Sequence, residues 1–341
     1  MKILYALQGT GNGHIARAIE LYPELCKYGQ VDILISGTQA DIKFPFPIKY
    51  TFHGLSFIFG KHGGIDQWAT LSRIKIVRLF KDIKSLPVEE YDLILNDFEP
   101  ISAWACKWKG KKCLALSHQA AVLHPDAPKP TQKDSFGRFI LRHYAPTPMQ
   151  WGFHFQAIGT QIFTPIIRSS IRQLATSTQD YYTVYLPAYD DNTLIKELSQ
   201  FKGIRWEIFS KHATESFHFE NINVRIIENE AFTTSIANCR GVLCGAGFET
   251  PAEALYLGKK LMVIPMKGQY EQQCNAAFLQ KMNIPIIPEL SKKYRSDIID
   301  WLDLAQEQCI HYPENTAAIV AQVIRYFSQT AMAGTPLIPS I

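Results

Sequence analysis

The stretch Gly241–Ala276 (GVLCGAGFETPAEALYLGKKLMVIPMKGQYEQQCNA) gathers side chains suited to holding a phosphorylated ligand. An apolar run leads into Gly245-Ala246-Gly247, and Pro251 fits the first turn of the helix that follows, where a missing N–H costs little. Small residues let the backbone approach a ligand closely. The free N–H groups and partial positive charge of a helix start favour an anion such as a diphosphate. Thr250 adds a hydroxyl donor in that turn, and Glu253, three residues on along the same face, is spaced to accept hydrogen bonds from ribose hydroxyls. Taken alone, the turn is also what plain strand–helix packing would give.

A second cluster opens the chain. Gly9-Thr10-Gly11-Asn12-Gly13-His14 follows an apolar run and precedes a helical pattern. A dinucleotide fingerprint would need glycine at position 14 and an acid near the end of the next strand. His14 and Ser36-Gly37-Thr38 stand there instead, which argues against a nicotinamide or flavin enzyme. An imidazole near neutral pKa suits the deprotonation of a hydroxyl. Asp97, closing LILND, is placed to orient and charge-stabilise His14 if the two strand ends meet; Glu99 is a competing base. His118 and Gln119, at the next strand end, are either ligand contacts on the acceptor side or a loop-capping pair.

Positioning these groups requires two sheets. In the first half, Ile3–Leu7, Val31–Ser36, Tyr91–Asn96 and Lys112–Ser117 read as buried strands, with helices from His14 to about Tyr28 and near Ile101–Trp108. That alternation implies a parallel sheet covered on both faces. The second half repeats it, with strands Tyr181–Leu186, Arg205–Phe209, Val224–Ile227, Gly241–Cys244 and Lys260–Ile264, and helices at about 192–200, 231–239, 249–257 and 271–282. Between the halves, roughly 144–170, the alternation is lost among Pro146, Pro148 and Pro165, which puts the junction near Thr164–Arg168. The expectation is therefore an α/β chain of two Rossmann-like domains, 1–165 and 166–341, their parallel sheets facing across a cleft at the carboxyl ends of the strands. The chain's 341 residues suffice for two cores, and a net charge of +4 is too small to argue for nucleic acid. Seven scattered cysteines with no CxxC pair read as reduced thiols of a cytoplasmic protein.

The C-terminal stretch resembles the nucleotide-sugar site of the GT-B-fold glycosyltransferases, above all the MurG-like transferases and the related UDP-glycosyltransferases. Gly247, Thr250, Glu253-Ala254, Gly258, Pro265, Glu271-Gln272 and Asn275-Ala276 hold the family's motif positions. The resemblance implies that Gly247, Phe248 and Thr250, with Gly245 and Ala246, hold the donor diphosphate and Glu253 the ribose. Glu271 and Gln272, with Gln273 able to share the task, would bind the donor sugar. Ile227 falls where the family holds the nucleobase, and Arg168 where MurG-like enzymes carry a nucleotide-contacting arginine, although a surface linker charge is the other reading. The loop carrying Gly11, Gly13 and His14 resembles the family's first loop, which faces the cleft, with His14 as catalytic base and Asp97 its partner.

The implied reaction is an inverting, metal-independent transfer from a nucleotide-diphosphate sugar, in the first place a UDP-sugar, with no other cofactor. No Asp-x-Asp occurs in the chain to carry a divalent ion, and the helix start at 247–250 can stabilise the leaving diphosphate. Three departures stand out. Gly245 replaces the histidine that begins the UDP-glycosyltransferase signature, Leu186-Pro187-Ala188-Tyr189 stands where MurG-like enzymes have Gly-Gly-Ser, and Glu249 puts a negative charge beside the diphosphate site.

On the acceptor side, Phe44–Phe59 and Phe136–Phe155 are rich in aromatics, and Arg73–Lys84 (RIKIVRLFKDIK) is a basic amphipathic helix. They suit a lipid-linked acceptor and peripheral contact with the inner face of a membrane, or else core aromatics beside a solvated basic face. Two rivals remain: a UDP-sugar 2-epimerase-like isomerase, which would need a carboxylate cluster beside the sugar, and a non-catalytic nucleotide-sugar binding subunit.

Overall fold

The computed structural model describes residues 1–37, 44–54, 76–304 and 309–332. Its first sheet has seven strands: β1 (Lys2–Gln8), β2 (Gln30–Ser36), β3 (Tyr50–Phe52), β4 (Leu93–Asp97), β5 (Leu114–Ser117), β6 (Met149–Phe153) and β7 (Ile162–Phe163). The order is β3-β2-β1-β4-β5-β6-β7, with every neighbouring pair parallel. Ile3–Gln8 and Leu93–Asp97 are buried throughout, as expected for strands covered on both faces.

The second sheet has six strands: β8 (Tyr182–Tyr185), β9 (Trp206–Ser210), β10 (Phe217–Phe219), β11 (Ile222–Ile226), β12 (Gly241–Gly245) and β13 (Lys260–Ile264). Its order is β10-β11-β9-β8-β12-β13, parallel except for the β10–β11 hairpin at one edge. Each sheet reverses its strand order once near the middle, between β1 and β4 and between β8 and β12. Such a switch point opens a crevice beyond the strand ends. The first crevice lies beside Gly9–His14 and Asp97, the second beside Leu186 and Gly245. Both candidate clusters therefore sit where the topology opens the sheet.

One reading is corrected. The proline-rich stretch 144–170 holds β6 and β7, so the first sheet continues through it to Phe163. Pro146 and Pro148 precede β6, and Gly152 breaks its apolar run. That glycine lies so close to the Ser117 carbonyl that a methyl group would collide with it. The strand is thus fixed by its neighbour β5 and leaves little periodic signal. The hairpin strand β10 likewise carries no buried pattern, its three residues all exposed.

The cores of the two halves merge. Phe155 of the first half lies 5.2 Å from Phe248 and 6.0 Å from Phe278 of the second, centroid to centroid. The helix Thr316–Met332 returns to pack on the helix Asn12–Cys26, with Tyr326 at 5.1 Å from Trp151 and the Gln322 amide donating to the Thr160 carbonyl at 3.1 Å.

The aromatics of the first half divide. Phe153 and Phe155 are buried, whereas Phe80, Trp108, Phe136 and Phe139 are all more than half exposed. Phe80, on the helix Ile76–Ser85, stacks on Trp108 at 5.5 Å. Positions 55–59 of the first aromatic segment and 73–75 of the basic helix lie outside the described residues.

Candidate active site

The helix Asn12–Cys26 follows β1 through Gly11, whose φ of 113° is a left-handed conformation that glycine adopts readily. It presents His14 and Arg17, three residues apart and so on one face, to the end of β4. There Asp97 is fully buried. The His14 Nδ1 lies 2.8 Å from Asp97 Oδ1. Arg17 donates to the same carboxylate through Nε at 3.0 Å and through Nη2 at 2.9 and 2.8 Å. Burial alone would push the Asp97 carboxyl up, but the charges of Arg17 and then His14 hold it below the usual carboxylate range. His14 and Asp97 are thus brought together, and Arg17, which the sequence reading did not single out, completes the group. A charged residue amid buried Ile15, Ala16, Ala18 and Leu21 was the signal for it.

The helix Glu249–Tyr256 follows β12 and aims its N-terminus at the same region. A cavity of about 420 Å³ lies between the two helix starts, lined by Asn12 and Gly13 on one side and Gly247, Phe248, Glu249, Thr250 and Glu253 on the other. Arg168 and Ile227 close it further out. Seven of the proposed donor residues therefore meet in one space, where two helix N-termini converge.

Two of its carboxylates are paired by arginines. Arg168 donates to both oxygens of Glu253, at 2.6 and 2.8 Å, and to Asn229 Oδ1 at 2.9 Å. The reading gave Arg168 and Glu253 separate tasks; the structure couples them, which also removes the surface-charge reading of Arg168. Glu249 reaches across to Arg17 Nη1 at 2.5 Å.

Other expected residues lie elsewhere. Gly11 caps its helix outside the cavity lining. Gly245 and Gln272 line a smaller cavity of about 90 Å³ beside it, together with Leu186–Tyr189. Gln272 accepts from the Met266 N–H at 2.9 Å, and Gln273 donates to the Met266 carbonyl at 3.3 Å. Ala246 is buried, its carbonyl held by Asn275 at 3.0 Å.

His118 lies behind the cavity, stacked on Phe248 at 4.0 Å with its Nδ1 and Nε2 each 2.8 Å from an acceptor, the Phe153 carbonyl and Asn275 Oδ1. Burial pushes its imidazole down to about 4, so at neutral pH the ring donates to one of them only. Gln119 donates to Glu271 at 3.0 Å, and burial raises the Glu271 carboxyl. His118 and Gln119 are accordingly docking points between the halves, met by two residues of the helix Tyr270–Lys281. Glu99, the competing base, is consumed as a helix cap: it is buried and accepts from the Ile101 and Ser102 N–H groups at 2.7 and 2.6 Å. Among the described residues no group of three or more His, Cys, Asp or Glu side chains converges as metal ligands.

The model of the family described as Glycosyl transferase family 1 matches residues 1–303. The chain belongs to this family. As a glycosyltransferase of family 1 it shares its fold with solved structures that are distant in sequence. Acinetobacter baumannii MurG has 14% identity and a TM-score of 0.56, covering 95% of this chain and 99% of its own. The glycosyltransferase of kitacinnamycin has 11% identity and a TM-score of 0.55, with 96% and 95% covered. Arabidopsis thaliana UGT89C1, complexed with UDP, has 12% identity and a TM-score of 0.52, with 96% and 94% covered. These likenesses make the fold GT-B. No curated protein is significantly similar in sequence.

Proposed function

We propose that this glycosyltransferase moves a sugar from a nucleotide-diphosphate donor, in the first place a UDP-sugar, to an acceptor hydroxyl held against the N-terminal half. The observation that carries this reading is the cavity between two helix starts with His14–Asp97 beside it. The diphosphate lies on the N–H groups and hydroxyl of Gly247–Thr250, the ribose at Glu253–Arg168, and the nucleobase towards Ile227. A similar fold is solved with UDP in UGT89C1 and with thymidine diphosphate in a spinosyn rhamnosyltransferase, at TM-scores of 0.52 and 0.53.

The chemistry is a single displacement with inversion. His14, its Nδ1–H donated to Asp97, has the Nε2 lone pair left to take the acceptor proton. The acceptor oxygen bonds to the anomeric carbon as the bond to the leaving phosphate breaks, and the electron pair departs on the diphosphate. The opposed helix starts stabilise that charge, so the step needs no metal.

The acceptor is lipid-linked, and the first half meets a membrane surface on the cytoplasmic side. Phe80, Trp108, Phe136 and Phe139, exposed among lysines and arginines, support that reading. No described helix is long and apolar enough to cross a membrane, and all seven cysteines are free.

The test compares wild type with His14→Ala and Asp97→Asn for UDP release from a panel of UDP-hexoses and for UDP affinity. Loss of turnover with affinity retained is expected. Retained turnover in both variants would remove His14 as base, and affinity without turnover in the wild type would favour a binding subunit.

A further inference from the structure

A second carboxylate reaches the group around His14 from the opposite half of the molecule. Among the described residues Asp97 is the acid in contact with the imidazole, yet its charge is already met by three guanidinium contacts from Arg17. Arg17 is itself buried, with its side chain 3% exposed, and its remaining nitrogen, Nη1, is taken by Glu249. Glu249 is the first residue of the helix that faces the donor. Arg17, Asp97 and Glu249 together carry one net negative charge, and Arg17 Nη2 stands 3.3 Å from His14 Nδ1. A positive charge developing on His14 would make the group neutral. Without Glu249 the Arg17–Asp97 pair is already balanced, and a charge on His14 would be left unmatched in a largely dry site, where charges interact strongly. Two neighbours on the helices packed alongside are engaged elsewhere: Glu271 accepts from Gln119, and the His118 nitrogens face the Phe153 carbonyl and Asn275 Oδ1.

We infer that Glu249 and Arg17 are positioning residues that complete the His14–Asp97 base from the donor half. Gly13 fits this arrangement. A methyl group there would collide with the Glu249 carboxylate, so the first loop leaves room for the acid to reach Arg17. The inference rests on the transferase reading above and adds that the base is completed across the cleft.

Glu249→Gln tests it, because the amide keeps the size and removes the charge at a side chain that is 26% exposed and tolerant of change. Turnover is read as UDP released from UDP-hexoses, and binding as UDP affinity. The expected result is kcat lower by about tenfold or more, the scale of one charge-assisted contact. UDP affinity should hold or rise, since a negative charge beside the diphosphate is gone. Glu249→Asp, which keeps the charge on a shorter arm, should recover part of kcat. An unchanged kcat in Glu249→Gln overturns the inference while leaving the transferase reading intact. A parallel loss of kcat and UDP affinity also overturns it, making Glu249 a donor ligand. A wild type that releases no UDP removes the parent reading and this inference together.

Discussion

Glu249 and Glu253 lie one turn apart on the same helix, and each is met by an arginine from elsewhere, but the two pairs are built for different ends. Arg168–Glu253 is a forked pair: both carboxylate oxygens are held, and the couple forms a fixed wall of the cavity. Arg17–Glu249 is a single contact spanning the cleft, with the arginine buried and the acid partly in solvent. The first arrangement gives rigidity to a ligand wall. The second ties the His14–Asp97 group of one half to the helix Glu249–Tyr256 of the other.

The comparison can be broken in several ways. The largest effect should come from His14→Ala, with kcat reduced by roughly two to four orders of magnitude, the usual scale of a lost general base. UDP-release kinetics check it; a loss below tenfold would mean that the pair beside the cleft is not the base. Next is Arg168→Ala, which leaves Glu253 buried without its fork and should cost about 3 kcal/mol of stability in denaturant unfolding. Glu249→Ala should cost well under half of that, because its partner keeps Asp97. Equal losses would erase the distinction between wall and bridge.

A third effect concerns pH. Burial holds His118 down to about 4 and His154 well below its ordinary value, while both would take a proton near 6.5 in the unfolded chain. The unfolded state then binds more protons, so stability present above pH 6.5 is lost as pH falls towards 4. For His118 the loss is about 2 kcal/mol at pH 5, and His154 adds to it in the same direction. Unfolding at pH 7 and pH 5 in wild type and His154→Phe measures it, and the variant should show a shallower fall in stability than the wild type. The smallest effect is Gly13→Ala, which should leave stability within about 1 kcal/mol, since the Glu249 carboxylate can give way, yet it should lower kcat by releasing Glu249 from Arg17.

Much of this was legible in the chain. Strands buried on both faces announce themselves as apolar runs, so β1, β4, β12 and β13 were readable to within a residue or two. The motif from Gly247 to Asn275 carried spacing that packing does not impose. What escaped were features decided at a distance. Strand β6 owes its place to β5, and β10 to a hairpin edge. Arg17 and its two acids lie 80 and 232 positions apart from one another, and no local pattern relates them. Likewise His118 and Gln119 read as acceptor-side residues because both end a strand, whereas the helix Tyr270–Lys281 arrives over them and makes them docking points.

The most direct test of the donor cavity uses Gly247. A Cβ built there meets nothing within 4 Å, so Gly247→Leu should fold with an unchanged unfolding midpoint while its side chain fills the space proposed for the diphosphate. Calorimetric titration with UDP should show binding to the wild type and none to Gly247→Leu. Equal UDP affinity in both proteins, or no binding to the wild type, would contradict the account.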